Sequence, residues 1–476
     1  MRRWRALALA GSLIIALVFP ASAVADDIQL CRINASPGQW VSLGFPVAPE
    51  RLVSYSKPKV LVIPFKLKDN PNYKFTTEFK KDYEDASANI AMFSNGKSVP
   101  EFVFLPPIET EFTNKTMEDL KANQQSANQA KDESRSTWGF VRKFIADHDS
   151  TIDFTGVTAV ILEGSSTSYS SYIAEAMMMS SNDRGDPYFR AVQTNEGRIF
   201  NFSLFDQHST ASTITHEVMH LYGLTDLYGT GDGPGNLSLM ASNEINLLSY
   251  EKWVLGWLPD SDVQCLSSVS QSSIYKFSFD YPKIDQILVI RAETGEDFIV
   301  ETTEVNGQRY LAFYSLNNAA RPPITIYQNG YQGQSRGTKI GDYTAIGTQL
   351  KSNKHTLLIS SIDSSSITVH FVSSSLTSST EFKDLVTKSA DLRSKLGQES
   401  KSKVSAEADA KAAADLKALL EAEAKAASDF KAKQEAAAKA ALAAAPKKST
   451  ITCIKGKILK KVTAVNPKCP SGYKKK

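Results

Sequence analysis

His216 and His220 stand four positions apart, and Glu217 directly follows the first of them. Positions i and i+4 of a helix lie on one face, so two imidazoles at this spacing can aim at a single ion. Their nitrogens suit zinc, at about 2.0–2.1 Å from the metal. Glu217 can reach a water on that ion and take its proton. Gly223 comes three residues after His220. A glycine there can adopt the left-handed conformation that turns the chain out of the helix. Such a turn can return Asp226 beneath the ion as a third protein ligand, leaving one position open for water. The spacing therefore points to a zinc site of His216, His220 and Asp226, with Glu217 as general base. Each residue also has a plainer reading: packed or solvated helix histidines, and an aspartate that caps a loop.

These residues need a scaffold, and the flanking pattern suggests one. A helical pattern begins after His208 and stops at Gly223. Upstream, Val60-Leu61-Val62-Ile63 reads as a buried strand, and Glu101 to Leu105 and Val157 to Leu162 read as two more. Helices are expected near Thr76 to Phe93 and through the polar stretch Met117 to His148, where Trp138, Val141 and Phe144 recur at helical spacing. Arg198 to Phe205 alternates as one half-buried strand, and could be a sheet edge along which a substrate backbone pairs. This order predicts an α/β sheet with helices packed on it. A Gly-rich loop from Gly229 to Gly235 and a helix from Ser249 to Leu255 follow. Asp232 and Asn236 in that loop could bind calcium, although a plain loop explains them better. Tyr222 and Tyr228 are read as core residues, and His208 as a surface helix start. The chain has no phosphate-binding loop of the P-loop type and no G-x-S-x-G.

Beyond Val263 the character changes. Short strands such as Gln286 to Ile290 and Phe298 to Val300 alternate with Gly, Asn and Ser turns, which predicts an all-β accessory domain over residues 261–375. Residues 376–446 open with a Ser/Thr-rich linker and continue as an Ala/Lys/Glu-rich segment with an imperfect 14-residue repeat. Fourteen is two heptads, so one helix face stays in register. A helical stalk, a weak coiled coil or a solvated spacer would all satisfy it, with Pro446 as its end. Residues 447–476 are rich in lysine and contain no acidic residue. They could contact an anionic cell-wall polymer or lipid head groups, or form a small solvated cap. The formal net charge of +3 on 476 residues gives no reason to expect a nucleic-acid partner.

The N-terminus has the marks of an export signal over residues 1–25. Arg2, Arg3 and Arg5 precede an apolar run from Ala6 to Phe19 and then small residues ending in Ala23-Val24-Ala25. That run is shorter than the ~20 residues of a membrane span, and no other stretch could span a bilayer. A secreted chain with four cysteines is expected to pair them. Cys453 and Cys469 would close locally. Cys31 and Cys265 would then fasten the mature N-terminus to the end of the motif region; the alternative makes Cys31 an inhibitory zinc ligand.

The run His216 to Asp226 resembles the immune inhibitor A family of secreted bacterial metallopeptidases, within the metzincins, whose motif is HExxHxxGxxD. Leu224-Thr225-Asp226-Leu227-Tyr228 is similar to that family's continuation. Ser238-Leu239-Met240 resembles its downstream turn, in which Met240 would lie beneath the zinc. Leu248 to Leu258 resembles its closing helix, Lys59 to Asp69 its first strand, and Ile152-Asp153-Phe154 a short motif before its next strand. Thr225 stands where the family usually has proline and Met219 where it often has glycine. The resemblance covers roughly residues 55 to 260. It implies a multidomain protein in which residues 26–260 form an α/β zincin-type catalytic domain. It also implies zinc-dependent endopeptidase activity on protein or peptide substrates, through a zinc-bound water with Glu217 as general base. The competing expectation is a catalytically inactive, metallopeptidase-like surface-binding protein.

Overall fold

The structure is a computed structural model that describes residues 27–36, 39–168, 173–178, 190–228, 233–269, 272–278, 285–293, 295–327, 337–340, 343–444 and 447–476. The expected export signal over residues 1–25, Asp232 and the expected helix stop at Pro446 lie outside the described residues. Several β-sheets and one long helical segment make up the molecule, and the chain divides into two compact units, Met1–Leu396 and Gly397–Lys476.

The first unit is organised around a six-stranded sheet. Its central path runs Glu101–Phe104, Lys59–Lys66, Ala159–Gly164, Asn201–Phe205 and Ala174–Met178. The first four are mutually parallel, and Ala174–Met178 runs antiparallel to its neighbour. Strand Lys59–Lys66 explains why its sequence is continuously apolar rather than alternating. Val60 and Val62 face one core with Phe79, Tyr83 and Ile90 of helix Thr77–Phe93. Leu61, Ile63 and Phe65 face another core with Trp138, Val141 and Phe144 of helix Thr137–His148. A strand covered on both faces needs apolar side chains on both.

Two sequence expectations change here. The helix-prone stretch Met117 to His148 is two helices, Asn114–Ala130 and Thr137–His148. Lys131 breaks the run at φ +56°, and Ser136 starts the second helix by accepting a hydrogen bond from the Gly139 amide. Arg198 to Phe205 is likewise not one edge strand. Arg198–Ile199 pairs in a separate two-stranded ribbon, whereas Asn201–Phe205 lies inside the main sheet with strands on both sides. Among the described residues, the outer position belongs to Ala174–Met178.

Residues 263–373 form two further sheets packed face to face. Leu288, Ile290, Phe298 and Val300 of one meet Leu357, Ile359, Val369 and Phe371 of the other. The alternate residues Ile287, Val289 and Ile299 point the opposite way, into the core shared with Trp253 and Trp257. Strict period-two alternation thus serves two cores from one sheet.

Both cysteine pairs are formed, Cys31–Cys265 and Cys453–Cys469. Cys31 is therefore a disulfide partner, not a free thiol. The Ser/Thr-rich linker contains a short 3-10 turn, and one helix, Thr380–Ala444, follows it. Phe382 at the start of this helix packs on Leu358 and Val372. Among the described residues, no helix is long and apolar enough to cross a membrane.

Candidate metal centre

Helix Ala211–Leu221 carries the motif. Thr210 caps it through its hydroxyl, which accepts from the Thr213 amide at 3.4 Å. Ile214, Val218 and Leu221, spaced for one face, are fully buried in the core. Burying that face turns His216 and His220 away from it, with Glu217 at its margin. His208 supports the start of the helix rather than its centre: its Nε2 lies 2.8 Å from Asp82, whose other oxygen accepts from the Ala211 amide.

The chain leaves the helix at Gly223, whose φ is +105°. The Gly223 amide donates to the His220 carbonyl at 2.8 Å, and the Leu224 amide to the Met219 carbonyl at 3.2 Å. This tight exit brings Asp226 back under the helix. Its Oδ1 lies 3.2 Å from His216 Nε2 and 3.2 Å from His220 Nε2. One ligand-type atom from each of the three residues falls within 4.8 Å of the others. Among the described residues this is the only such group of His, Cys, Asp and Glu.

The rings are fixed from behind. His216 Nδ1 lies 3.0 Å from the Leu239 carbonyl, and His220 Nδ1 2.8 Å from the Leu224 carbonyl. Each carbonyl accepts the Nδ1 proton, so Nε2 is the atom each ring presents to Asp226. The Leu239 carbonyl comes from the turn before Met240, which is fully buried and whose own carbonyl accepts from the Leu227 amide at 2.7 Å.

The electrostatics favour positive charge at the point of convergence. Burial alone would raise the Asp226 carboxyl, but hydrogen bonds from His216 and His220 hold it well below the ordinary range. Burial alone would lower His220, yet the Asp226 carboxylate, with Glu217 nearby, takes it up to about 9. Glu217, only 7% exposed, is raised chiefly by burial, and the neighbouring His220 and His216 oppose that shift, with a smaller opposing contribution from a hydrogen bond to the Ala176 backbone.

Beside the three residues opens a cavity of about 680 Å³. His216, Glu217, Tyr228, Ala174, Asn236 and Glu244 are among the residues that line it, and no lysine or arginine does among the described residues. Asn236, considered above as a calcium ligand, is thus on the cavity wall.

All four residues singled out by spacing meet at this place. Tyr222 is buried as expected, its hydroxyl 2.6 Å from Ser98 Oγ. Tyr228 departs from the expectation of a core residue. It is 58% exposed, its ring stacks on His216, and its hydroxyl hydrogen-bonds Asp226. The segment around Trp40 was also unforeseen. Trp40 approaches His220 edge-on, with ring centroids 6.4 Å apart. The Ser42 amide donates to the Gly223 carbonyl and the Leu52 amide to the Leu221 carbonyl, both at 2.9 Å. The N-terminal segment therefore braces the helix exit, and no local pattern announces contacts across such a distance in sequence.

Comparison with known proteins finds no family model that matches this chain and no curated protein that matches it.

Proposed function

We propose that this chain is an exported, zinc-dependent endopeptidase, with His216, His220 and Asp226 as the residues that would hold the ion. One observation carries the reading: three ligand atoms converge beside a buried carboxylate, Glu217, that is not one of them. The donor set fits the metal. Two imidazoles oriented through Nδ1 and one carboxylate are a zinc-type combination, and the backbone carbonyls behind the rings supply the outer support that such ligands require. When bound, zinc supplies Lewis-acid polarisation of a carbonyl and lowers the pKa of water.

Glu217 does the proton work. Its carboxylate accepts a proton from the attacking water and returns it to the nitrogen of the departing amine. Burial that raises its pKa suits a group that must both take and give a proton near neutrality. The Ala176 backbone hydrogen-bonds this carboxylate. Ala176 belongs to the edge strand Ala174–Met178, and Ala174 lines the cavity. A substrate main chain lying along that edge would cross the site beside Glu217. Tyr228 steadies Asp226 through its hydroxyl. Two disulfides and the residue 1–25 pattern support export. The resemblance of His216–Asp226 to the immune inhibitor A motif supports the same activity.

The test is casein hydrolysis by the purified mature chain, with metal content measured on the same sample. Bound zinc with activity that a chelator and Glu217→Gln both abolish is the expected result. Neither zinc nor activity, in a folded sample supplied with zinc, would leave the surface-binding alternative in its place.

A further inference from the structure

The C-terminal unit ends in a small sheet that the proposed hydrolysis does not use. Ser449–Lys455 lies in its centre, flanked by Ile458–Ala464 and Lys474–Lys475. Residues paired directly across antiparallel strands share a face. Cys453 pairs with Lys460 and Lys475, is fully buried, and is bonded to Cys469. The disulfide thus covers that face with the chain that follows the second strand.

Among the described residues, the opposite face has no such cover. Ile454 pairs with Leu459 on one side and Lys474 on the other, so these three form a row. Thr452 and Lys461 form the next row, and Thr450 and Thr463 the last. Leu459 is 56% exposed on this face; Ile458, which pairs with Lys455 across the Gly456-Lys457 turn, lies on the other face and is 62% exposed, so the two flank the hairpin tip from either side. Segment 447–476 contains ten lysines and no aspartate or glutamate. Lys455, Lys457, Lys460 and Lys461 lie within a few residues of the two aliphatic side chains along the hairpin, Lys455 and Lys460 on the face of Ile458 and Lys461 on the face of Leu459.

Neither feature is favoured in a free surface. Clustered cations repel, and two adjacent large aliphatic side chains at a hairpin tip expose apolar area to water. An anionic bilayer satisfies both at once. It offers head-group phosphates to the lysines and, just beneath, an acyl layer to Ile458 and Leu459. Lysine stems are long enough to keep their charges at the head groups while the aliphatics sit deeper. A soluble polyanion would match the charge and leave the aliphatic pair wet. We infer that this hairpin tip is a docking surface for anionic lipid, with Ile458 and Leu459 entering the bilayer boundary and the four lysines engaging phosphate. The inference is independent of the proposed hydrolysis.

The full mature chain would be sedimented with vesicles of phosphatidylcholine alone and of phosphatidylcholine with phosphatidylglycerol at three to one. Binding should require phosphatidylglycerol and should weaken at least about tenfold when salt rises from low to high. Ile458→Ser with Leu459→Ser should weaken it by about tenfold or more at constant charge. Should that pair of changes unfold the hairpin, Leu459→Trp gives a direct reading. Its fluorescence, taken against the unsubstituted chain, should shift to the blue on mixed vesicles and not on soluble polyphosphate. Equal binding to both vesicle types would overturn the inference. So would unchanged binding by the folded double-serine variant, or polyphosphate binding as tight as vesicle binding and equally strong in that variant, which would assign the surface to a phosphate polymer.

Discussion

The centre around His216 and the basic sheet at the C-terminus hold their polar groups in different ways. At the centre, Leu239, Leu224 and Ala176 each commit a backbone group to one side chain, and the helix beneath is buried in a large core. In the C-terminal sheet, strand pairing and one disulfide set the rows, and the lysines project from them exposed. The first arrangement fixes atoms to within a fraction of an ångström, as bond making demands. The second fixes only a charge density, which is enough for a diffuse anionic partner. Function at the centre should therefore fail with single changes, and function at the sheet should fade with accumulated ones.

The largest effects should come from the centre. Glu217→Gln should lower peptide hydrolysis by about a hundred- to ten-thousandfold while zinc content stays at the level of the unsubstituted chain. His216→Ala should lose both the metal and the activity. Loss of zinc in Glu217→Gln would make that residue a structural support instead, and would blur the contrast.

Disulfides separate the two regions next. Cys31 and Cys265 are 234 residues apart and Cys453 and Cys469 only 16. On chain entropy alone these closures contribute about 5 and about 3 kcal/mol respectively. Replacing Cys31 and Cys265 by serine should lower the main melting transition and release the brace on His220. The same change at Cys453 and Cys469 should leave that transition in place and abolish vesicle binding.

Gly223→Ala should cost about 1–2 kcal/mol through its positive φ alone, since the nearest atom to a new Cβ is Arg51 Cδ at 3.7 Å. Because the turn carries Asp226, zinc retention during dialysis should fall along with the melting temperature.

A pH dependence should appear in the first unit. Burial raises Glu301 to about 8 and Glu251 to about 7, from ordinary values of 4.5. The folded state keeps these protons after the unfolded chain has released them. Their contribution to stability is therefore complete below pH 4.5 and is lost as pH rises through the folded values of about 7 and 8. Glu301→Gln should flatten the decline in denaturation midpoint over that window. The smallest effect should be that of any one tail lysine: Lys460→Gln should leave the melting temperature unchanged.

The centre was legible in sequence because its information is local. Helix pitch relates His216 to His220, and one glycine explains the return of Asp226. What stayed hidden arrives from afar. Trp40 reaches His220 through a segment held by Ser42 and Leu52, and Glu244 reaches the cavity wall with no pattern of its own. Ala174-Glu175-Ala176-Met177-Met178 has helix-favouring residues, and is a strand because Asn201–Phe205 offers it a partner. Alternation in Arg198 to Phe205 signalled a strand correctly over Asn201–Phe205 and could not say which strand would be outermost. The two-sided burial of Lys59–Lys66 was visible because parallel strands need apolar residues on both faces.

A chain with the proposed peptidase activity would be exposed to its own chemistry, and the Cys31–Cys265 bridge bears on what self-cleavage would do. A single nick anywhere between those two cysteines yields two fragments that remain covalently joined. On a non-reducing gel such a molecule would run near the intact mass, and only a reductant would reveal the break. The fragment bearing Trp40 could not diffuse away from the fragment bearing His220 when the cut falls between them. The bridge would thus convert an inactivating cut into a tethered one, giving the proposed enzyme a working life that outlasts the continuity of its backbone.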